Sequence, residues 1–103
     1  MLERTQLHDL LLGFGVPVYY DPPESVKLRF PCIIYTHQGI TTTYADNLPY
    51  TQFSVYQVMS VSRSADDPLV AELSRTPGFS FDRHYVSDNL HHNVFDVTHS
   101  YQP

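Results

Sequence analysis

The sequence predicts a small α+β domain, an antiparallel or mixed sheet with two helices packed mainly on one face. Three observations lead there. Two stretches carry apolar residues at three- and four-residue spacing, while most of the rest alternates with a period of two. The order of these stretches is helix, strands, helix, strands, which does not repeat a βαβ unit. The chain has 103 residues, 42% of them hydrophobic, which suits one core and leaves no room for a second. Residues 1–103 are therefore expected to form a single domain.

The first helix is expected over residues 2–14. Leu7, Leu10, Leu11 and Phe14 form its apolar stripe, opposite Glu3, Arg4 and Asp9, and Gly13 and Gly15 can close it. Residues 16–20 predict a short strand, stopped by Pro22 and Pro23, whose rings fix φ and remove amide donors. Residues 24–30 are polar and mixed, a surface connection. The run at 32–36 predicts a strand with Ile33 and Tyr35 on one face and Cys32 and Ile34 on the other. Apolar groups on both faces mark it as central.

A threonine-rich strand is expected at 40–45, then a turn at Asp46, Asn47, Leu48 and Pro49. Residues 50–61 give the clearest strand. Phe53, Val55, Met59 and Val61 share one parity and predict its core face, although Gln57 interrupts it and Tyr56 and Val58 lie on the other side. A second helix is expected at 68–74, capped by Ser64 or Asp66, with Pro68 in its first turn and Leu69, Val70 and Leu73 inward. Pro77 and Gly78 end it. Strands at 79–86 and 90–101 follow, joined by a turn at Ser87, Asp88 and Asn89.

Eleven acidic residues against six basic ones give a net charge of -5, and no two basic residues are adjacent. That balance argues against binding a phosphate backbone, which needs clustered Lys and Arg. Cys32 is the only cysteine, so no intrachain disulfide can form. The opening residues lack the pattern of a secretory signal, so folding in a cytoplasm-like environment is expected.

The histidine-rich end holds the candidate chemistry. His84, His91, His92 and His99 lie near Asp82, Asp88 and Asp96, and imidazoles and carboxylates are sound zinc ligands. Adjacent His91 and His92 point in opposite directions along a strand, however, and no HExxH or Cys-His spacing is present. Asp82 and His84 share a parity and invite a charge-relay reading, but no nucleophile is specified. Cys32 has no basic neighbour, which suits a buried thiol. The Gly13-Phe14-Gly15 run lacks the lysine of a P-loop. The sequence therefore predicts no enzyme, no cofactor and no metal, with backbone groups or another subunit as the first partners of Arg83 and His84.

The run Tyr44-Ala45-Asp46-Asn47-Leu48-Pro49-Tyr50, and the strand after it carrying Tyr56 and Val58, resemble small tail proteins of double-stranded DNA bacteriophages. Residues 81–92, from Phe81-Asp82-Arg83-His84 to Leu90-His91-His92, extend the likeness, as do residues 18–25 and 28–35. The chain departs from the family's usual pattern at Asp66-Asp67-Pro68-Leu69. The resemblance, to tail completion, tail terminator or minor tail proteins, covers nearly the whole chain.

It implies a structural virion protein. Such a protein would form a ring, a homohexamer, at the head-proximal end of the tail, ending tube polymerisation and joining tail to head. The implied partners are further copies of the chain, the major tail tube protein and a head-closure or connector protein. Viral DNA would pass through the lumen without sequence-specific binding, and an acidic lumen would repel it. Assembly in the host cytoplasm is implied. The nearest alternative is a head-closure or connector subunit, and from another class a small metal-dependent enzyme. Tyr44, Asp46, Asn47, Tyr50, Tyr56, Asp82, Arg83 and His84 are the expected subunit-interface residues: tyrosines give apolar area, and the polar groups fix orientation.

Overall fold

The computed structural model describes residues 4–45 and 48–101, with side chains left out at 43–45, 48–53 and 99–101. Two helices and five strands follow in the order α1 (Arg4–Leu12), β1 (Val18–Tyr20), β2 (Cys32–Ala45), β3 (Leu48–Ser62), α2 (Pro68–Ser74), β4 (Phe79–Ser87) and β5 (Leu90–Tyr101). The strands form one mixed sheet in the order β1-β2-β3-β5-β4. β1 runs parallel to β2, and the other three pairings are antiparallel. The chain is thus an α+β domain with two helices on a mixed sheet.

The core lies between the helices and one face of the sheet. Leu7 and Leu11 of α1 and Leu69 and Leu73 of α2 close over Ile33, Tyr35, Tyr56, Val58, Phe95 and Val97, with Phe79 at the margin. On α1 the stripe is narrower than expected, since Leu10 is 45% exposed while Phe14 packs at the edge.

The core parity of β3 is the reverse of the one predicted. Tyr56, Val58 and Ser60 face the helices, because they stand opposite Ile33 and Tyr35 on one side and Asn93, Phe95 and Val97 on the other. Val55 and Met59 are half-buried on the far face, where Gln57 is tolerated because no helix covers it. Val61 is buried on that far face beside Cys32. A single strand with apolar groups on both parities could not reveal which face its neighbours would choose.

Two expected strands merge in β2. The interruption at Gln38 and Gly39 is a register shift within one strand, with no break between His37 and Ile40. The β2–β3 turn is tighter than expected, because Leu48 and Pro49 already pair with Ala45 and Tyr44. This hairpin outruns the sheet. β1 flanks β2 only at 33–35, and β5 flanks β3 only from residue 52 onward. The molecule is accordingly elongated, 50 × 28 × 24 Å, with a radius of gyration of 14.9 Å. A compact chain of this length would have about 13 Å.

The cap of α2 is Asp67, in place of Ser64 or Asp66. Its carboxylate accepts from the Leu69 amide at 3.0 Å and from the Ser60 hydroxyl at 2.6 Å. One side chain therefore starts the helix and satisfies a fully buried serine of β3. After α2, Gly78 at φ +87 turns the chain into β4. An added Cβ would meet the Thr98 carbonyl oxygen at 3.3 Å, and the Gly78 carbonyl accepts from the Thr98 amide.

Candidate subunit interface

The two edges of the sheet are unlike. On one side β1 has three residues and is followed by Asp21 at φ +44 and by Pro22 and Pro23, which cannot donate to an added strand. On the other side β4 has nine residues, about 30 Å of extended backbone, and all but Phe79 are exposed. Phe81, Tyr85 and Val86 on this strand are 52%, 39% and 55% exposed. An edge with free backbone groups and apolar side chains is a template for pairing unless something blunts it. The register shift between Phe81 and Arg83 leaves Asp82 unpaired with β5 but does not cover the strand, which stays exposed through Ser87.

A two-residue turn fixes this hairpin. Asp88 and Asn89 have φ of 52° and 62°, the left-handed pair that a right-twisted hairpin turn requires. The register that follows puts Arg83 opposite Val94, His84 opposite Asn93, Tyr85 opposite His92 and Val86 opposite His91. On one face Tyr85 and His92 stack with ring centres 4.5 Å apart and planes within 4°. The Tyr85 hydroxyl donates to the Met59 sulfur at 3.4 Å, and the Arg83 guanidinium lies 6.0 Å from the Tyr85 ring centre. Arg83 also pairs with Asp82 at 2.6 Å, an exposed contact between sequence neighbours that adds little stability.

On the other face His84 Nε2 and His91 Nδ1 are 3.2 Å apart. Their ring centres are 5.4 Å apart with planes 21° from parallel. The centre separation exceeds the nitrogen separation by 2.2 Å (5.4 less 3.2), about the sum of two imidazole centre-to-nitrogen distances, so the rings meet head on, edge to edge. One nitrogen donates and the other accepts.

The predicted interface residues are scattered by this arrangement. Asp82, Arg83 and His84 share the exposed edge strand. Asp82 does not reach His84 in a relay, because its carboxylate holds Arg83. Tyr56 is 6% exposed within the core, with its ring 6.2 Å from that of Tyr35 and 5.0 Å from that of His37. Burial pushes its hydroxyl pKa up. It supports the fold of the chain from within the core. Tyr44 and Tyr50 lie in β2 and β3, with side chains outside the described residues, and Asp46 and Asn47 lie wholly outside them.

Sequence reasoning missed a second aromatic group, centred on Tyr35. Its side chain is fully buried, yet its hydroxyl meets His8 Nδ1 at 2.7 Å and Arg4 Nη1 at 3.4 Å. Arg4 can only donate, so the phenol oxygen accepts from it, while the direction of the bond to His8 is set by the imidazole tautomer. Burial raises the Tyr35 pKa, and the Arg4 hydrogen bond opposes that rise. The Arg4 guanidinium also lies 4.4 Å from the centre of the Tyr20 ring, which packs 4.9 Å from Tyr35. The spacing of Arg4 and His8, one turn apart on a helix, was the available signal.

For catalysis the arrangement supplies little. Among the described residues, no three His, Cys, Asp or Glu side chains converge as metal ligands. Burial raises the Cys32 thiol from 9.0 to about 11, the opposite of what a nucleophile needs. A cleft of about 250 Å³ between Phe14, Val16, Pro31 and the start of α2 has acidic walls, but Asp67 there is engaged as the helix cap. Comparison with protein-family models, with curated proteins and with solved structures finds no match.

Proposed function

We propose that this chain is a structural subunit that assembles with copies of itself, and that its assembly is the terminator ring at the head-proximal end of a bacteriophage tail. The observation that carries self-assembly is the β4 edge: nine residues of strand, eight exposed, with Phe81, Tyr85 and Val86 facing solvent. A lone soluble domain gains nothing from such an edge and risks misassociation. The β2–β3 hairpin, projecting past its flanking strands, supplies a second and different surface. A closed ring requires two such unlike surfaces on every subunit. The place in the virion rests on the resemblance of residues 18–25, 28–35, 44–50 and 81–92 to tail completion and terminator proteins.

Mass measurement across a concentration series, with electron microscopy of any ring, tests both levels. Six copies in a closed ring are expected. Twelve copies would move the assignment to a head connector, and a monomer at every concentration, with or without tail tubes, would remove it.

A further inference from the structure

We propose that His84 and His91 form a binding site for one divalent transition-metal ion, of the zinc or nickel class, on the face of the β4–β5 hairpin. Three features carry it. The first is distance. Two imidazole nitrogens bound to one tetrahedral Zn(II) at 2.0–2.1 Å stand about 3.3 Å apart. His84 Nε2 and His91 Nδ1 stand 3.2 Å apart.

The second is preorganisation. The two histidines come from adjacent strands held in register by the Asp88–Asn89 turn and by the pairs His84 with Asn93 and Val86 with His91. The backbone is set before an ion arrives, which lowers the cost of binding. The third is access. His84 is exposed and His91 half-buried, so an ion can enter from solvent and keep water in its remaining positions. Two protein ligands leave the site open.

Binding replaces a hydrogen bond by two metal–nitrogen bonds. In the free pair one facing nitrogen carries a proton and the other a lone pair. The ring with the facing N–H loses that proton to water and takes one at its outer nitrogen. Both imidazoles stay neutral, and each facing lone pair is donated to the ion. The rings tilt from their head-on line so that the lone pairs converge, a rotation that side chains at the surface make cheaply. His92 cannot join them, because it lies on the opposite face, stacked on Tyr85 with its Nδ1 at 3.0 Å from the Leu90 carbonyl oxygen. The Asp82 carboxylate is held by Arg83. First-row affinity order predicts that Ni(II) binds more weakly than Cu(II).

The test is calorimetric titration of the full chain at pH 7.5 with Zn(II) and Ni(II). One ion per chain is expected, weakened at least tenfold in His84→Ala and in His91→Ala and retained in His37→Ala and His92→Phe. Thermal melts of the four variants without metal establish that each is folded. Absence of binding to the parent chain, or binding that survives both His84→Ala and His91→Ala, would overturn the site. The readout counts ions per chain, so it stands or falls apart from ring formation.

Discussion

The ring pair Tyr35 and His8 and the ring pair His84 and His91 each meet within hydrogen-bond distance, and they serve opposite ends. Tyr35 and His8 meet at 2.7 Å beneath α1, and His84 and His91 meet at 3.2 Å on the edge hairpin. Tyr35 is fully buried and enclosed by Arg4 and His8 from α1, Tyr20 from β1 and Tyr56 from β3. There the rings are spent on tying the first helix to the sheet. On the hairpin, Phe81, Tyr85 and Val86 remain open to solvent. Similar residue types therefore build the fold at one place and stay open to solvent at another. Neighbouring strands and helices decide which.

The comparison breaks first at its buried side. Tyr35→Ala should cost about 3–5 kcal/mol, the range for large aromatic truncations in a core, read as a lower denaturant midpoint. A loss under about 1 kcal/mol would mean that α1 is not held this way. Alkaline pH comes next. The folded state holds the Cys32 thiol proton up to about 11, against 9.0 for a free thiol. A proton bound more tightly in the folded state gives stability that is complete below pH 9 and is lost as pH rises from 9 to 11. The loss is on the order of 2 kcal/mol, and Cys32→Ala should flatten that part of the stability profile. Tyr35 and Tyr56, raised in the same direction by burial, extend the decline above pH 10.

Asp67→Ala should cost about 1–2 kcal/mol, since it removes the cap of α2 and strands the buried Ser60 hydroxyl. Asp67→Asn should recover part of that, because it keeps an oxygen for the Leu69 amide. The smallest effect belongs to the hairpin. Arg83→Ala and Val86→Lys should each change monomer stability by no more than about 0.5 kcal/mol, as exposed substitutions do. Val86→Lys should nevertheless impair self-association, because a charge on an open edge discourages pairing. A large loss of monomer stability in Val86→Lys would mean that the edge belongs to the core.

Much of the fold was legible in the sequence because its signals are local. The second helix stands at the predicted 68–74, and the hairpin turn follows from Asp88 and Asn89, residues that tolerate positive φ. The larger errors are about neighbours. Gln38 and Gly39 read as a gap between strands, where the sheet instead absorbs a register shift within β2. Tyr56 and Val58 read as the outer face of β3, because the apolar residues of β2 and β5 that recruit them are distant in sequence.

The candidate site divides the same way. Asp82, Arg83 and His84 were identifiable as polar groups on a terminal strand, and they do lie exposed on β4. The partner of His84 was not identifiable, since adjacent His91 and His92 look equivalent until the pairing with β4 sends them to opposite faces. Arg4 and His8 are spaced one turn apart, but nothing local ties them to Tyr35, which lies 31 and 27 positions away.

The claim that the β4 edge is a contact surface is tested most directly by hydrogen–deuterium exchange of its amides. The measurement compares dilute monomer with the assembled state. Outward-facing amides between Ser80 and Ser87 should exchange rapidly in the monomer and slow at least tenfold on assembly, while the amides of β1 change little. An assembly in which β4 exchanges as fast as in the monomer would contradict the account, because the contacts would then lie elsewhere on the molecule.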